Sequence, residues 1–170
     1  IIIFIAMGAP VTIYLAQLPF YWLLMLMMGV AWGLFSGQVT AVSIPDTVDS
    51  IGQEAFYICP NLQQLKLPAR LKIIGKNAFN YCRALRSVIV PTGTIHIDRH
   101  AFYDCMALKT ISIPDTVGFM GEKVFGADGD AKVECTIVCR QDSYVEHYAK
   151  ENGILCSFCL LYTSDAADDK

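Results

Sequence analysis

The sequence predicts an α/β solenoid whose parallel β-sheet is built from stacked 23-residue turns and is preceded by apolar helices. Two observations predict this class. From residue 39 onward, four consecutive segments of 23 residues repeat the same marker residues. Before them, residues 1–36 carry no charged side chain, and Asp46 is the first charged residue of the chain. A fixed period in the twenties is the signature of a solenoid, in which neighbouring turns bury a shared core.

Four residue types mark the repeat, each at steps of 23. They are the prolines Pro45, Pro68, Pro91 and Pro114, the phenylalanines Phe56, Phe79, Phe102 and Phe125, the cysteines Cys59, Cys82 and Cys105, and the alanines Ala55, Ala78 and Ala101. Chance rarely aligns so many positions. We therefore expect four 23-residue repeats over residues 39–131.

The physical chemistry of one unit explains the pattern. Apolar residues alternate over Leu65–Leu67, as on a strand with one buried face. Pro68 ends the strand because it cannot donate a hydrogen bond to a sheet ladder, and Gly75 supplies a turn. Ala78 and Phe79 then point back into the core. Each buried Phe or Leu contributes about 1.5–3 kcal/mol, so stacked units with Leu on Leu and Phe on Phe have an adequate core.

This pattern resembles the BspA-like leucine-rich repeats, which are also known from treponemal surface proteins. The resemblance lies in the I-P or L-P steps at 44–45, 67–68 and 113–114, the I-G steps at 51–52 and 74–75, and the A-F-x-x-C runs at 55–59, 78–82 and 101–105. It covers about residues 39–155. It implies a leucine-rich-repeat solenoid with a parallel β-sheet that binds another protein or a host or matrix ligand, as in BspA-like adhesins.

Two units depart from this pattern. The third has Asp98 at the glycine position, and we expect the turn to be kept because Asp tolerates left-handed geometry better than most residues. The fourth has Val124 in place of Ala and lacks the cysteine.

A closing unit is expected over residues 132–158. Cys135–Val138 has the pattern of a strand. A helix is predicted over Tyr144–Asn152, with Asp142 or Ser143 as its N-cap, followed by a short last strand at 154–155.

The apolar head, residues 1–36, is interpreted as a membrane segment. A membrane-spanning helix needs roughly 20 mostly apolar residues, so this stretch exceeds one untilted span and is too short for two. We expect the end of one span at about 1–16 and a second span at about 20–36. A signal peptide fits poorly because no basic region precedes the apolar run; a mis-joined piece of sequence is the other alternative. The first residue is Ile1, so we expect the start of the gene product to be missing.

The last residues raise a separate question. Cys156 and Cys159 form a C-x-x-C, which is redox or metal spacing. However, Cys159–Lys170 resembles the translation of a transposon-based sequencing adapter, and such sequence is excluded from fold reasoning. We expect 159–170 to be an adapter artefact, which would make the C-x-x-C a junction product. If the codons are native, the pair becomes a candidate redox or metal site.

The remaining candidates for chemistry favour structural roles. Cys59, Cys82 and Cys105 share one inward column, where free Cys packs as a small apolar residue. An oxidised pair between neighbouring turns is sterically allowed but not implied. His96 and His100 are expected to be solvated turn residues, since a two-His metal motif also needs a suitably placed acid.

No nucleophile, phosphate-binding or nucleotide-binding motif is present. We therefore expect no enzymatic activity, no cofactor and no metal. The net charge of −3 argues against nucleic-acid binding, which usually requires a basic patch.

The outward residues of the strands are the candidate binding surface. Stacking aligns them in columns, and the expected binding residues are Gln64, Lys66, Arg86, Ile89, Lys109 and Ser112. Extended solenoid surfaces are commonly used for partner binding, although an ordinary solvated sheet face would have a similar composition.

The sequence thus favours a membrane-anchored module for protein interaction or adhesion at a bacterial cell surface. Its partner would bind the sheet face, and residues 1–36 would contact the membrane. The alternative is a sensory or regulatory repeat tail on a multispan transporter or membrane enzyme whose working part lies upstream. A plain structural spacer is a third option.

Overall fold

The computed structural model describes residues 37, 39–128 and 134–158, together with the backbone of 11–14. In chain order, its strands are β1 (Val11–Tyr14), β2 (Val39–Ser43), β3 (Ser50–Ile51), β4 (Gln64–Lys66), β5 (Ile73–Ile74), β6 (Ser87–Ile89), β7 (His96–Ile97), β8 (Phe102–Tyr103), β9 (Thr110–Ser112), β10 (Phe119–Met120), β11 (Phe125–Gly126), β12 (Thr136–Cys139) and β13 (Leu155–Phe158). The helix α1 covers Tyr144–Glu151, between β12 and β13.

The strands form a parallel β-solenoid of about five turns. The first ladder contains β1, β2 and β4 in one hydrogen-bonded sheet and β6, β9, β12 and β13 in another. The second ladder contains β3, β5, β7 and β10, and the third contains β8 and β11. Within the described residues α1 is the single helix, so the predicted parallel solenoid is confirmed but this part is nearly all β rather than evenly α/β.

The register between turns follows the sequence period. Val42 pairs with Leu65, and Val88 pairs with Ile111. A parallel ladder places equivalent residues side by side about 4.8 Å apart. Each paired residue therefore lies beside its equivalent in the next turn.

The phenylalanine column confirms this packing. Phe56, Phe79, Phe102 and Phe125 are all buried. Their rings stack nearly parallel, with centroids 5.2 Å apart for the first pair, 5.3 Å for the second and 6.0 Å for the third. Offset stacking of this kind contributes about 0.5–1.5 kcal/mol per pair beyond area burial. The column thus links the four turns through one continuous apolar contact.

The turn at the glycine position is kept in the third unit as predicted, but the predicted left-handed geometry at that position is wrong. Neither Asp98 nor Gly75 has a left-handed backbone; the left-handed residues are two positions further on, where Asn77 has φ 55° and His100 has φ 58°. Gly75 is needed for a close approach instead, because a Cβ there would lie 2.8 Å from the Ile51 carbonyl oxygen. In the third turn the Asp98 carboxylate accepts a hydrogen bond from the Arg99 amide at 2.6 Å.

The closing helix α1 covers the C-terminal end of the solenoid. It begins after Ser143, whose hydroxyl accepts a hydrogen bond from the Glu146 amide, and it ends one residue before the predicted Asn152. The Tyr148 hydroxyl accepts a hydrogen bond from the Val124 amide at 3.1 Å and donates to the Gly121 carbonyl at 3.2 Å. The helix therefore provides hydrogen-bond partners for two buried backbone groups of the fourth turn. Their equivalents in the third turn bond to each other, because the Ala101 amide donates to the Asp98 carbonyl.

The N-terminal end differs from expectation at four residues. β1 lies inside the helical span predicted over about 1–16, yet it pairs in parallel with β2. Its backbone groups complete the ladder at that edge, and this extended pairing is incompatible with a helix there. The rest of the predicted membrane segment 1–36 lies outside the described residues, as does the predicted adapter segment 159–170. None of the helices in the described residues is long and apolar enough to cross a bilayer.

One backbone position predicts a stabilising substitution. Ile58 has φ 55° and a largely exposed side chain. Left-handed geometry costs a β-branched residue roughly 1–2 kcal/mol, and Asn adopts it more readily. Ile58→Asn should therefore raise the free energy of unfolding, measured by urea titration, by about 1 kcal/mol. Ile58→Val keeps the branching and is the matched control. A gain no larger for Asn than for Val would contradict the strain.

The contacts of the closing helix predict a substitution that lowers stability. Tyr148→Phe leaves the buried Val124 amide and Gly121 carbonyl without their partner, so it should lower the free energy of unfolding by about 1–3 kcal/mol. The Tyr144 hydroxyl accepts from the Met120 amide at 3.2 Å, but Tyr144 is 43% exposed. Water can replace that bond, so Tyr144→Phe should cost less. Equal losses in the two variants would refute this account of the cap.

Candidate interaction surfaces

The residues predicted to bind lie on the outward face of the first ladder. Register pairs Ser43 with Lys66 and Ile89 with Ser112. The Lys109 amide donates to the Arg86 carbonyl at 2.9 Å, which places these two side chains in neighbouring turns. Gln64, Lys66, Arg86, Ile89 and Lys109 are exposed, and Ser112 is half-buried. Gln64 and Lys66 lie on β4, and the other four residues lie on or next to β6 and β9 of the same ladder. The outer surface that carries these six residues is termed the first-ladder face.

Ile89 is the apolar exception on this polar face. It is 75% exposed, although its strand neighbours Val88 and Val90 are buried. Because alternate side chains of a strand point to opposite faces, the sequence pattern directs Ile89 outward. An exposed isoleucine is not unusual by itself, but this one shares its face with Lys66, Arg86 and Lys109.

The charges around Ile89 are largely unneutralised. Lys109 pairs with Glu134 at 3.7 Å, and both side chains are exposed. Such a pair is worth about 0–1 kcal/mol. Within the described residues, Lys66 and Arg86 have neither an ion pair nor a side-chain hydrogen bond. The face can therefore offer two free cations and one apolar side chain to a partner.

A second surface was missed by sequence reasoning. Register in the second ladder aligns Ile73, His96 and Phe119, and the His96 and Phe119 rings stack with centroids 4.4 Å apart. Ile95 lies alongside, since its amide donates to the Lys72 carbonyl. Ile73, Ile95 and Phe119 are 41%, 52% and 47% exposed. These four residues are termed the second-ladder stripe.

The prediction for the two histidines needs correction. His96 lies on strand β7 and is half-buried, not a solvated turn residue, because its ring packs on Phe119. His100 does lie in a turn, half-buried, and its ring is 4.8 Å from that of Tyr103. Burial and the neighbouring Arg99 lower the pKa of His100. The two imidazoles thus belong to different side-chain clusters.

A polar cluster lies beside the third ladder. The Arg83 guanidinium contacts the buried Asp104 carboxylate at 2.6 Å and also lies over the Tyr81 ring. The Tyr81 hydroxyl donates to Asp128, which raises the pKa of Tyr81 to about 12. The Tyr103 hydroxyl donates to the Ala127 carbonyl at 2.7 Å. The ion pair and the hydrogen bonds of this cluster therefore connect side chains of different turns.

The cysteine column is confirmed as buried. Cys59, Cys82 and Cys105 are fully shielded from solvent. The Cys82 thiol donates to the Phe56 carbonyl at 3.3 Å and the Cys105 thiol to the Phe79 carbonyl at 3.2 Å. Burial raises the pKa of Cys105 to about 12, and a hydrogen bond with Cys59 together with burial raises that of Cys82. The thiolate is the nucleophile and the metal ligand, so these protonated groups are suited to packing.

The buried thiols predict a loss of stability at alkaline pH. Above the ordinary thiol pKa of 9.0 the unfolded chain releases the proton while folded Cys105 keeps it. The free energy of unfolding therefore falls as pH rises from about 9 to about 12. One such group contributes a slope of about −1.4 kcal/mol per pH unit. In urea titrations from pH 8 to 11, Cys105→Ala should flatten the slope by that amount.

The matched control is Cys156→Ala, because Cys156 is only half-buried. Its effect on the slope should be smaller. If Cys105→Ala leaves the slope between pH 9 and 11 unchanged, the thiol ionises in the folded state and the proposed packing role is wrong.

Among the residues that the structure describes, no group of three His, Cys, Asp or Glu side chains is arranged to hold a metal ion. Cys159 of the C-x-x-C lies outside those residues. The candidate sites on the described part of the chain are the exposed faces of the first and second ladders.

A family comparison decides the affiliation of the chain. The family model described as the BspA type leucine rich repeat region matches residues 33–137, in six copies. The chain belongs to this family. The match extends over well more than half of the sequence, and the resemblance inferred from the repeat motifs is thereby confirmed. BspA-type repeats and their solenoid fold are typical of non-catalytic interaction modules.

Three bacterial leucine-rich repeat structures are similar to this chain. A leucine rich cell surface protein from Faecalibacterium prausnitzii is 28% identical with a TM-score of 0.47, over 55% of this chain and 27% of that one. A leucine-rich repeat protein from Bacteroides ovatus is 26% identical with a TM-score of 0.42, over 62% and 35%. The T. pallidum leucine-rich repeat protein is 21% identical with a TM-score of 0.43, over 71% and 73%.

The chain spans about a quarter to a third of the length of the first two of these proteins. A comparison with curated proteins gave no significant match.

Proposed function

We propose that this BspA-type solenoid is a non-catalytic protein-interaction module that binds its partner on the first-ladder face. The observation that supports this most directly is the exposure of Ile89 on a face that also carries Lys66 and Arg86, which have no ion-pair partner in the described residues. Interface hot spots typically combine an apolar or aromatic anchor with Arg, inside a polar rim. Ile89 would be the anchor, and Lys66 and Arg86 would set the preference for charge.

The partner chemistry follows from these groups. Arg86 can bind a carboxylate through two parallel hydrogen bonds, whereas Lys66 offers a single flexible charge. Gln64 and Ser112 add neutral hydrogen-bonding groups at the edges. An extended polypeptide segment with acidic residues around an apolar one would complement the face. Its binding should weaken with salt because the cations are exposed to solvent.

A surface role for the whole protein is part of the same proposal. It rests on the resemblance to BspA-like adhesins and on the uncharged second span predicted at about 20–36, which would anchor the module to a membrane. The partner would then be a protein or an extracellular-matrix component of the host. Polyanionic nucleic acid is disfavoured by the net charge of −3.

Binding is tested with an array of synthetic twelve-residue peptides of graded net charge, with and without a central Leu or Phe. The full chain, dispersed in mild detergent, should bind the acidic peptides with a central apolar residue saturably. Arg86→Glu and Ile89→Asp should each weaken this binding at least about tenfold, the loss expected for a hot-spot residue.

Arg70→Glu is the matched control, because it makes the same charge change at an exposed residue outside the first-ladder face. It should leave the affinity within about twofold, the size of a distant surface-charge effect. The proposal fails if Arg70→Glu weakens binding as much as Arg86→Glu does, or if no peptide class binds saturably.

A further inference from the structure

The second-ladder stripe is an apolar surface separate from the first-ladder face. Ile73, Ile95 and Phe119 lie in three consecutive turns, and His96 connects Ile73 to Phe119 by register. Lys72, Ile95 and Gly118 occupy equivalent positions in three successive turns, next to the Ile73, His96 and Phe119 positions. Gly118 has no side chain and open space around it, so the surface is low at that point. Contiguous exposed apolar groups with a polar rim indicate an interaction surface.

We propose that the second-ladder stripe binds the same stripe of a second copy of this chain. The result is a two-fold dimer in which the two solenoid axes run antiparallel. The two-fold axis would lie along strand β7. A self-complementary surface is the requirement for such an interface, since each residue must fit its counterpart in the copy. This dimer surface is independent of the peptide-binding face proposed above.

The repeat register defines which residues meet. An axis along β7 keeps the position along the strand and exchanges the turn before β7 with the turn after it. Ile73 of each copy then faces Phe119 of the other, and Ile95 faces its own equivalent. The long Lys72 side chain faces Gly118, whose missing side chain leaves room for it. The long Lys72 side chain thus faces a glycine, and each apolar side chain of the stripe faces another apolar side chain.

The charged rim selects this orientation over the alternative. The turn before β7 carries Arg70, Lys72 and Lys76, while the turn after it carries Asp115, Glu122 and Lys123. A parallel pairing would place the three cations against the same three cations of the copy, and like charges in apposition are costly. The antiparallel pairing places them against a turn with two acids.

One specific ion pair follows from the register. The Asn77 amide donates to the Arg99 carbonyl and the His100 amide to the Glu122 carbonyl. Lys76, Arg99 and Glu122 therefore occupy one column in three successive turns. In the antiparallel dimer Lys76 of one copy meets Glu122 of the other, twice per dimer. On the axis, Arg99 faces its equivalent, and the adjacent Asp98 of each copy offers it a carboxylate.

The size of the stripe sets the expected affinity. Three turns at a spacing of about 4.8 Å extend the contact over roughly 10–15 Å. An interface of this size is smaller than that of standard specific complexes, so the association is expected to be weak and transient. A dissociation constant in the micromolar range, roughly 1–100 μM, is therefore expected.

Sedimentation equilibrium of the full chain, in density-matched mild detergent, measures this constant. Phe119→Glu should raise it at least about tenfold, because it places a carboxylate at an apolar contact. Lys76→Glu and Glu122→Lys should each raise it about fivefold, since each creates two like-charge contacts per dimer. The double variant Lys76→Glu/Glu122→Lys restores opposite charges and should return the constant to within about twofold of the starting value.

Ile89→Asp on the first-ladder face is the control and should leave dimerisation unchanged. Circular dichroism melts establish that each variant is folded before its association is compared. The proposal is overturned if the unaltered chain is monomeric at 200 μM, about twice the upper expected constant. It is also overturned if Phe119→Glu associates as well as the unaltered chain, as expected for association through residues 1–36. Failure of the double variant to restore association rejects the antiparallel pairing.

Discussion

Backbone hydrogen bonds between consecutive turns hold this chain in one register. The Phe56 amide donates to the Ala78 carbonyl and the Phe79 amide to the Ala101 carbonyl. Because each bond joins a residue to a site about one repeat later, equivalent side chains are forced side by side. The phenylalanine stack, the cysteine column and both exposed surfaces all depend on this register. A solenoid of this kind gains most of its stability from contacts between neighbouring turns.

The same constraint explains why the two ends are built differently. A turn in the middle pairs its backbone on both sides, whereas a terminal turn has one unpaired edge, which is a liability. At the C-terminal end, the tyrosine hydroxyls of α1 reach the backbone of the fourth turn. At the other end β1 adds a strand to β2. The closing elements therefore provide hydrogen-bond partners for backbone groups at both ends of the repeats.

The 23-residue period predicted the core positions that carry the same residue type in every turn, but not the exposed positions whose residue types differ. Phe79 and Cys82 could be assigned to the core because their equivalents share one residue type. The second-ladder stripe could not be found this way, since Ser50, Ile73, His96 and Phe119 differ in type at one equivalent position. The strands there also have two successive outward residues, so alternation gave no signal.

Other misses have similar physical causes. Left-handed backbone at Glu54, Asn77, His100 and Lys123 has no common residue type, and the repeating glycine drew attention to the wrong position. β1 pairs with β2 outside the 23-residue spacing, so periodicity could not predict it. The Tyr148 hydrogen bonds join a helix to a turn that is not its equivalent, and only the folded chain brings them together.

The two exposed surfaces lead to one physical picture of the molecule. The first-ladder face is mostly polar and offers cations around Ile89, while the second-ladder stripe is mostly apolar with a rim of mixed charge. Their separation would allow a partner and a second copy to bind at the same time. Dimerisation would then present two partner sites and raise apparent affinity for a multivalent ligand by linking the binding events.

Isoleucine methyl groups test most directly whether the first-ladder face carries the binding. In methyl-labelled full chain, addition of the acidic peptide with a central apolar residue should shift the NMR signal of Ile89. The signals of Ile73 and Ile95 on the second-ladder stripe should stay in place. A bound peptide that moves Ile73 or Ile95 while leaving Ile89 unchanged would contradict the account.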